Sequence, residues 1–152
     1  MAFQRATWTV ERIGWVVVVL LMLLALAGLF SVGPFSSVEK SDESGALNVR
    51  YEYFHRSGAG SVMEVTIAPL DGSGARLRFD AAFLRAFTIE QVQPEPLEWR
   101  GEAGGAALIF PVPDGRSFTI QLSLLPESTG RVTSRLRLGD QAELDLSFFI
   151  YP

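Results

Sequence analysis

The stretch Leu47-Asn48-Val49-Arg50-Tyr51-Glu52-Tyr53 decides the fold class. Leu47, Val49, Tyr51 and Tyr53 fall on one side and Asn48, Arg50 and Glu52 on the other, the period-two pattern of a strand with one face in an apolar core. The pattern recurs downstream. Met63, Val65 and Ile67 alternate with Glu64 and Thr66; Ala75, Leu77 and Phe79 with Arg76 and Arg78; Phe118, Ile120, Leu122 and Leu124 with Thr119, Gln121 and Ser123. Turn-forming clusters separate these runs: SGAG at 57–60, DGSG at 71–74 and DGRS at 114–117. Residues 80–86, DAAFLRA, break the alternation, and Asp80 suits the N-cap of a helical turn. Phe87 and Ile89 resume a strand that Pro94-Glu95-Pro96 ends, and another begins at Ala106. The last two runs, RVTSRLRL and AELDLSFFIY, flank Gly139-Asp140 as a hairpin, which sets Arg135 and Arg137 opposite Glu143 and Asp145.

About eight short strands with little helix predict an all-β fold, an antiparallel two-sheet sandwich of the immunoglobulin or fibronectin type, with a small barrel as the alternative closure. The Cys…Trp…Cys spacing of true immunoglobulin domains is missing, because the chain has no cysteine. For the same reason there is no disulfide framework and no thiol chemistry.

Upstream lies IGWVVVVLLMLLALAGLFSV, Ile13 to Val32, a run without charge. Its twenty residues would span about 30 Å as a helix, the thickness of a hydrocarbon core. The expectation is a short cytoplasmic segment over 1–12, a single transmembrane helix over 13–33, a polar linker over 34–45 and an extracytoplasmic β domain over 46–152. Gly33-Pro34 would stop the helix. The rival is a cleaved signal peptide, with Arg5 and Arg12 as its basic region and Ala25-x-Ala27 as its cleavage site. Basic residues before the run and mildly acidic ones after it predict a bacterial inner-membrane protein with its N-terminus cytoplasmic and its domain periplasmic. Trp8 and Trp15, seven apart, would mark the near interface, and Ala27 and Ser31 would form a small-residue face for a partner helix. No ionisable residue lies inside the run, which argues against an ion path.

Little in the sequence points to catalysis. His55 is the only histidine, and beside Arg56 before a glycine-rich turn it reads as a strand-end surface residue. With one imidazole and no thiolate, a transition-metal site has few ligands to draw on. No G-x-S-x-G elbow occurs. Glu90, Glu95 and Glu98 show no spacing that builds a cleft, and GEAGG at 101–105 matches no phosphate-binding motif. Beyond Val32 sixteen acids face eleven bases, a sign that disfavours nucleic acid. No cofactor, metal, catalytic residue or small-molecule substrate is predicted.

Recognition residues are better represented. Trp99 follows a proline-rich bend beside Arg100, a composition that suits either an interface anchor or a plug at the end of the core. Phe149 and Tyr151 fall on the face opposite Phe148 and Ile150, so the last strand carries aromatics on both faces. Cover from the 80–86 segment or from another subunit would account for them. The function expected from sequence is therefore a non-catalytic, single-pass accessory subunit of an inner-membrane complex. It would meet integral membrane partners and the lipid bilayer through Trp8, Trp15, Ala27, Ser31, Trp99, Phe149 and Tyr151. A membrane-anchored assembly factor or chaperone and a membrane-tethered hydrolase are the alternatives.

Overall fold

The computed structural model describes residues 2–26, 37–69, 74–111 and 115–152, and within the helix the side chains of 11–23. The chain divides into two units, Met1–Ser36 and Ser37–Pro152.

The first unit holds α1 (Ala2–Leu26). Its described side chains from Ile13 to Leu23 are uncharged. Among the described residues no helix is long and apolar enough to cross a membrane. This corrects the expected transmembrane helix. The predicted inner-membrane location, lipid bilayer contact and integral membrane partners lose their support with it, as does the single-pass accessory function and its membrane-anchored alternatives. The end of the expected span, with Ala27, Ser31 and Gly33-Pro34, lies outside the described residues, and so does the side chain of Trp8. Trp15 is exposed on α1.

The second unit is all-β with one short helix. Its strands are β1 (Ser37–Ser41), β2 (Leu47–Glu52), β3 (Phe54–Arg56), β4 (Ser61–Ile67) and β5 (Ala75–Asp80), then α2 (Ala81–Ala86), then β6 (Phe87–Gln93), β7 (Glu98–Glu102), β8 (Gly105–Phe110), β9 (Phe118–Pro126), β10 (Gly130–Leu138) and β11 (Ala142–Tyr151). They form a five-stranded sheet ordered β1-β2-β4-β9-β6 and a six-stranded sheet ordered β3-β11-β10-β5-β8-β7.

The period-two alternation does what it predicts. Leu47, Val49 and Tyr51 are buried on β2, Met63, Val65 and Ile67 on β4, and Ile120, Leu122 and Leu124 on β9. Across from them lie Leu77 and Phe79 of β5, Leu136 of β10, and Leu144, Leu146, Phe148 and Ile150 of β11, which join the same core cluster. Each large apolar side chain taken fully out of water contributes about 1.5–3 kcal/mol. One end of the core is aromatic. Phe83 of α2 packs at 4.8 Å from Phe79 and 5.0 Å from Phe87, and Phe87 at 4.9 Å from Phe148, centroid to centroid. Asp80 caps α2 by accepting the Phe83 N–H at 2.9 Å.

Two further features differ from the purely antiparallel immunoglobulin-like sandwich expected from sequence. The chain crosses from one sheet to the other at Tyr53, and β3 then pairs with β11 in parallel, Phe54 beside Phe149 and Arg56 beside Tyr151. The architecture is therefore a mixed two-sheet fold, because periodicity fixes which face a residue takes but not the direction of its partner strand. The stretch read as a linker also carries β1, which pairs with β2 from Ser37↔Glu52 to Ser41↔Asn48.

Candidate functional site

The crossover at Tyr53 builds the most distinctive surface of the β unit. Along β11 the core takes Phe148 and Ile150, so Phe149 and Tyr151 face out. β3 comes up beside them, held by the Phe149 N–H donating to the Tyr53 carbonyl at 2.8 Å and the Ser57 N–H donating to the Tyr151 carbonyl at 2.8 Å. Three large rings result on one side of one sheet edge, with Phe54 52%, Phe149 39% and Tyr151 42% exposed. Phe54 meets Phe149 edge-on with centroids 6.2 Å apart, and Tyr53 stacks edge-on to Phe54 at 4.8 Å. Arg131 lies opposite Phe149 on β10, Arg56 lies opposite Tyr151 on β3, and both are exposed. The 80–86 segment gives these rings no cover. It turns Phe83 and Ala86 into the core instead.

The edge of β11 just before this surface is closed by side chains from the other sheet. The Lys40 ammonium of β1 donates to the Asp145 carbonyl at 2.7 Å, and the Tyr51 hydroxyl of β2 accepts the Ser147 N–H at 3.3 Å. An edge covered in this way is guarded against strand addition. The aromatic surface is thus a side-chain surface, and it borders a protected edge.

His55 sits directly behind it and is not the surface residue expected from sequence. β3 points Phe54 and Arg56 outward and His55 inward. The imidazole is 4% exposed and lies 5.2 Å from the Phe87 ring and 5.6 Å from the Phe148 ring. Neither ring nitrogen has a hydrogen-bond partner. Burial pushes its pKa below the ordinary value, partly offset by the nearby Glu52 backbone. An imidazole enclosed by phenyl rings has no path to a substrate. Among the described residues no three His, Cys, Asp or Glu side chains gather as a metal site.

The outer face of the six-stranded sheet is a lattice of ion pairs. Arg135 pairs with Glu143 and Asp145, Arg137 with Glu143, Arg78 and Arg76 with Glu102, and Arg100 with Glu98. The hairpin register sets Arg135 against Asp145 and Arg137 against Glu143, as the sequence predicts.

Trp99 is remote from the aromatic surface in the sheet order, on the opposite edge strand β7. Its register partner is Leu108, whose side chain is in the core, so the indole takes the inward side of the sheet at its edge strand. It is 51% exposed, which makes it neither a buried plug nor a fully solvated side chain.

No protein-family model matches the chain, and no curated protein sequence matches it. Similar solved structures include a cohesin module from the family 33 glycoside hydrolase of Clostridium perfringens ATCC13124, at TM-score 0.47 and 14% identity over 75% of this chain and 97% of the module. Domains 4 and 5 of the S-layer protein SbsC give TM-score 0.43 and 12% identity over 76% of this chain and 54% of that structure. At these identities and TM-scores, neither likeness assigns an activity or a partner to the chain.

Proposed function

We propose that the β unit is a non-catalytic recognition module that binds another protein through the surface of Phe54, Phe149 and Tyr151. One observation carries the reading: three large rings from two paired strands stand exposed on one side of a sheet edge, flanked by Arg56 and Arg131. Aromatic and arginine side chains are the residues that interface centres enrich. Rings on adjacent strands also lose little conformational entropy on binding, since the sheet already fixes their spacing. The buried His55 supports the absence of catalysis at this surface.

The test is site-specific photocrosslinking in the native cell. A benzophenone side chain in place of Phe149 is expected to give one defined protein adduct. The same group in place of Glu64, on the other sheet, is expected to give none. Equal adduct patterns at the two positions overturn the reading.

A further inference from the structure

Trp99 belongs to a second feature that the aromatic surface does not use. The edge strand β6 of the five-stranded sheet and the edge strand β7 of the six-stranded sheet border an open cleft of about 540 Å³. Its apolar lining is Ile89, Val92, Pro96 and Trp99, and its acids are Glu90 and Glu95.

Three observations give this cleft a direction. First, the pairing of β6 with β9 slips by one residue, Ile89 opposing Leu124 and Gln91 opposing Ser123, so Glu90 is the extra residue of a β-bulge. A bulge at a sheet edge re-aims a side chain and interrupts the alternation that would otherwise place it. Second, the acids on the neighbouring sheet face are neutralised by arginines, as Glu98, Glu102, Glu143 and Asp145 show, whereas Glu90 and Glu95 have no ion-pair partner among the described residues. Third, β6 ends its sheet, so among the described residues no strand pairs with the side of its backbone away from β9, where an added strand would pair.

We infer that this cleft binds an extended, basic segment of another protein, added along the free edge of β6, with a lysine or arginine cation over Trp99 between Glu90 and Glu95. The indole supplies the best aromatic face for a cation, the two carboxylates supply the complementary charge, and the strand edge supplies main-chain hydrogen bonds. A neutral apolar segment would leave both carboxylates to be desolvated without compensation.

The experiment uses the 152-residue chain carrying Trp8→Phe and Trp15→Phe, so that Trp99 is the one indole left. Its ligand is a synthetic six-residue peptide of alternating threonine and lysine. The basic peptide is expected to shift the Trp99 emission and the backbone amide signals of Gln91 and Gln93, while a threonine–glutamate peptide leaves them unmoved. Trp99→Ala is expected to weaken binding about two- to fivefold, the size of an exposed cation–π contact, and Glu90→Gln with Glu95→Gln to remove the preference for the basic peptide. Each variant is checked for an unchanged urea midpoint. The inference is overturned if the two peptides bind alike or if the basic peptide moves only signals elsewhere. It is equally overturned if the same amides shift with protein concentration alone, or with a neutral oligosaccharide and not with the basic peptide. None of these outcomes bears on the Phe54–Phe149–Tyr151 surface, which stands or falls by its own crosslink.

Discussion

Ser134 donates its hydroxyl to Asp80 Oδ1 at 2.9 Å, and the same oxygen accepts the Phe83 N–H that starts α2. Asp80 Oδ2 accepts the Arg135 N–H at 3.0 Å. One carboxylate therefore ties β5, α2 and β10 together over the aromatic end of the core. Asp80→Ala removes a helix cap, worth about 1 kcal/mol, and orphans the buried Ser134 hydroxyl at a further about 1–3 kcal/mol. The expected loss is about 2–4 kcal/mol in urea unfolding, with Asp80→Asn losing less because it keeps an acceptor oxygen. A loss below about 0.5 kcal/mol for the alanine variant, the level of a plain surface substitution, would show that the tie is idle.

His55 makes stability depend on pH in a narrow window. Its folded pKa is lowered, mainly by burial, so the unfolded chain binds the proton more readily. Above the unfolded value of about 6.5 both states are neutral and the residue adds no pH dependence. As pH falls below that value toward the lowered folded pKa, stability is lost, at up to about 1.4 kcal/mol per pH unit. The ordinary carboxylate range lies lower, so between pH 7 and pH 5.5 (about half a unit above and one unit below the histidine value) the slope belongs to His55. His55→Phe should flatten it. A wild-type urea midpoint constant across that interval would contradict the burial of a neutral imidazole.

Gly105 is required by a close approach of two backbones. A Cβ there would run into the Phe79 carbonyl of β5, and β8 has no room to move because β7 pairs on its other side. Gly105→Ala should cost at least about 1–3 kcal/mol, the usual size of overpacking in a closed site. Gly101→Ala, in the same hairpin but with open space around its Cβ position, serves as the control and should cost less. Equal midpoints for the two variants would refute the close approach.

The ion-pair lattice should matter little for stability. Arg137 and Glu143 approach to 2.5 Å, yet both side chains are more than 40% exposed. Arg137→Ala is expected to cost about 0.2–1 kcal/mol, less at high salt. A larger, salt-independent loss in thermal unfolding would mean that the arginine stem packs on the sheet in a way the charges do not explain.

Much of the fold was legible in the alternation itself. Leu47, Met63, Leu77 and Ile120 declare their faces because a strand in a half-buried sheet has no other way to arrange apolar and polar residues. Asp80 declared its cap because a short acid before an apolar turn has few other uses. What stayed hidden depended on partners distant in sequence. β1 carries a single apolar inward residue, Val38, and its other inward position is Lys40, which reaches across to β11. The sequence places His55 at the surface, because its burial comes from a crossover at Tyr53 that periodicity cannot express. The extra residue at Glu90 is defined only by the register with β9. At the N-terminus, composition alone suggests a membrane span, and among the described residues no helix is long and apolar enough to be one. Of the recognition residues, Phe149 and Tyr151 were legible as outward aromatics on a strand, whereas their neighbour Phe54 was not, because three residues are too few for a pattern.

The central claim is that Phe54, Phe149 and Tyr151 form a protein-binding surface, and its most direct test is an affinity. The protein captured by the Phe149 crosslink is titrated with the wild-type chain and with Phe54→Ala/Phe149→Ala, both checked for the same urea midpoint. If the rings are the centre of the interface, the double variant binds about 30-fold more weakly, the about 2 kcal/mol that marks an interface hot spot. A double variant that folds normally and keeps its affinity within about threefold, under 1 kcal/mol, would contradict the claim.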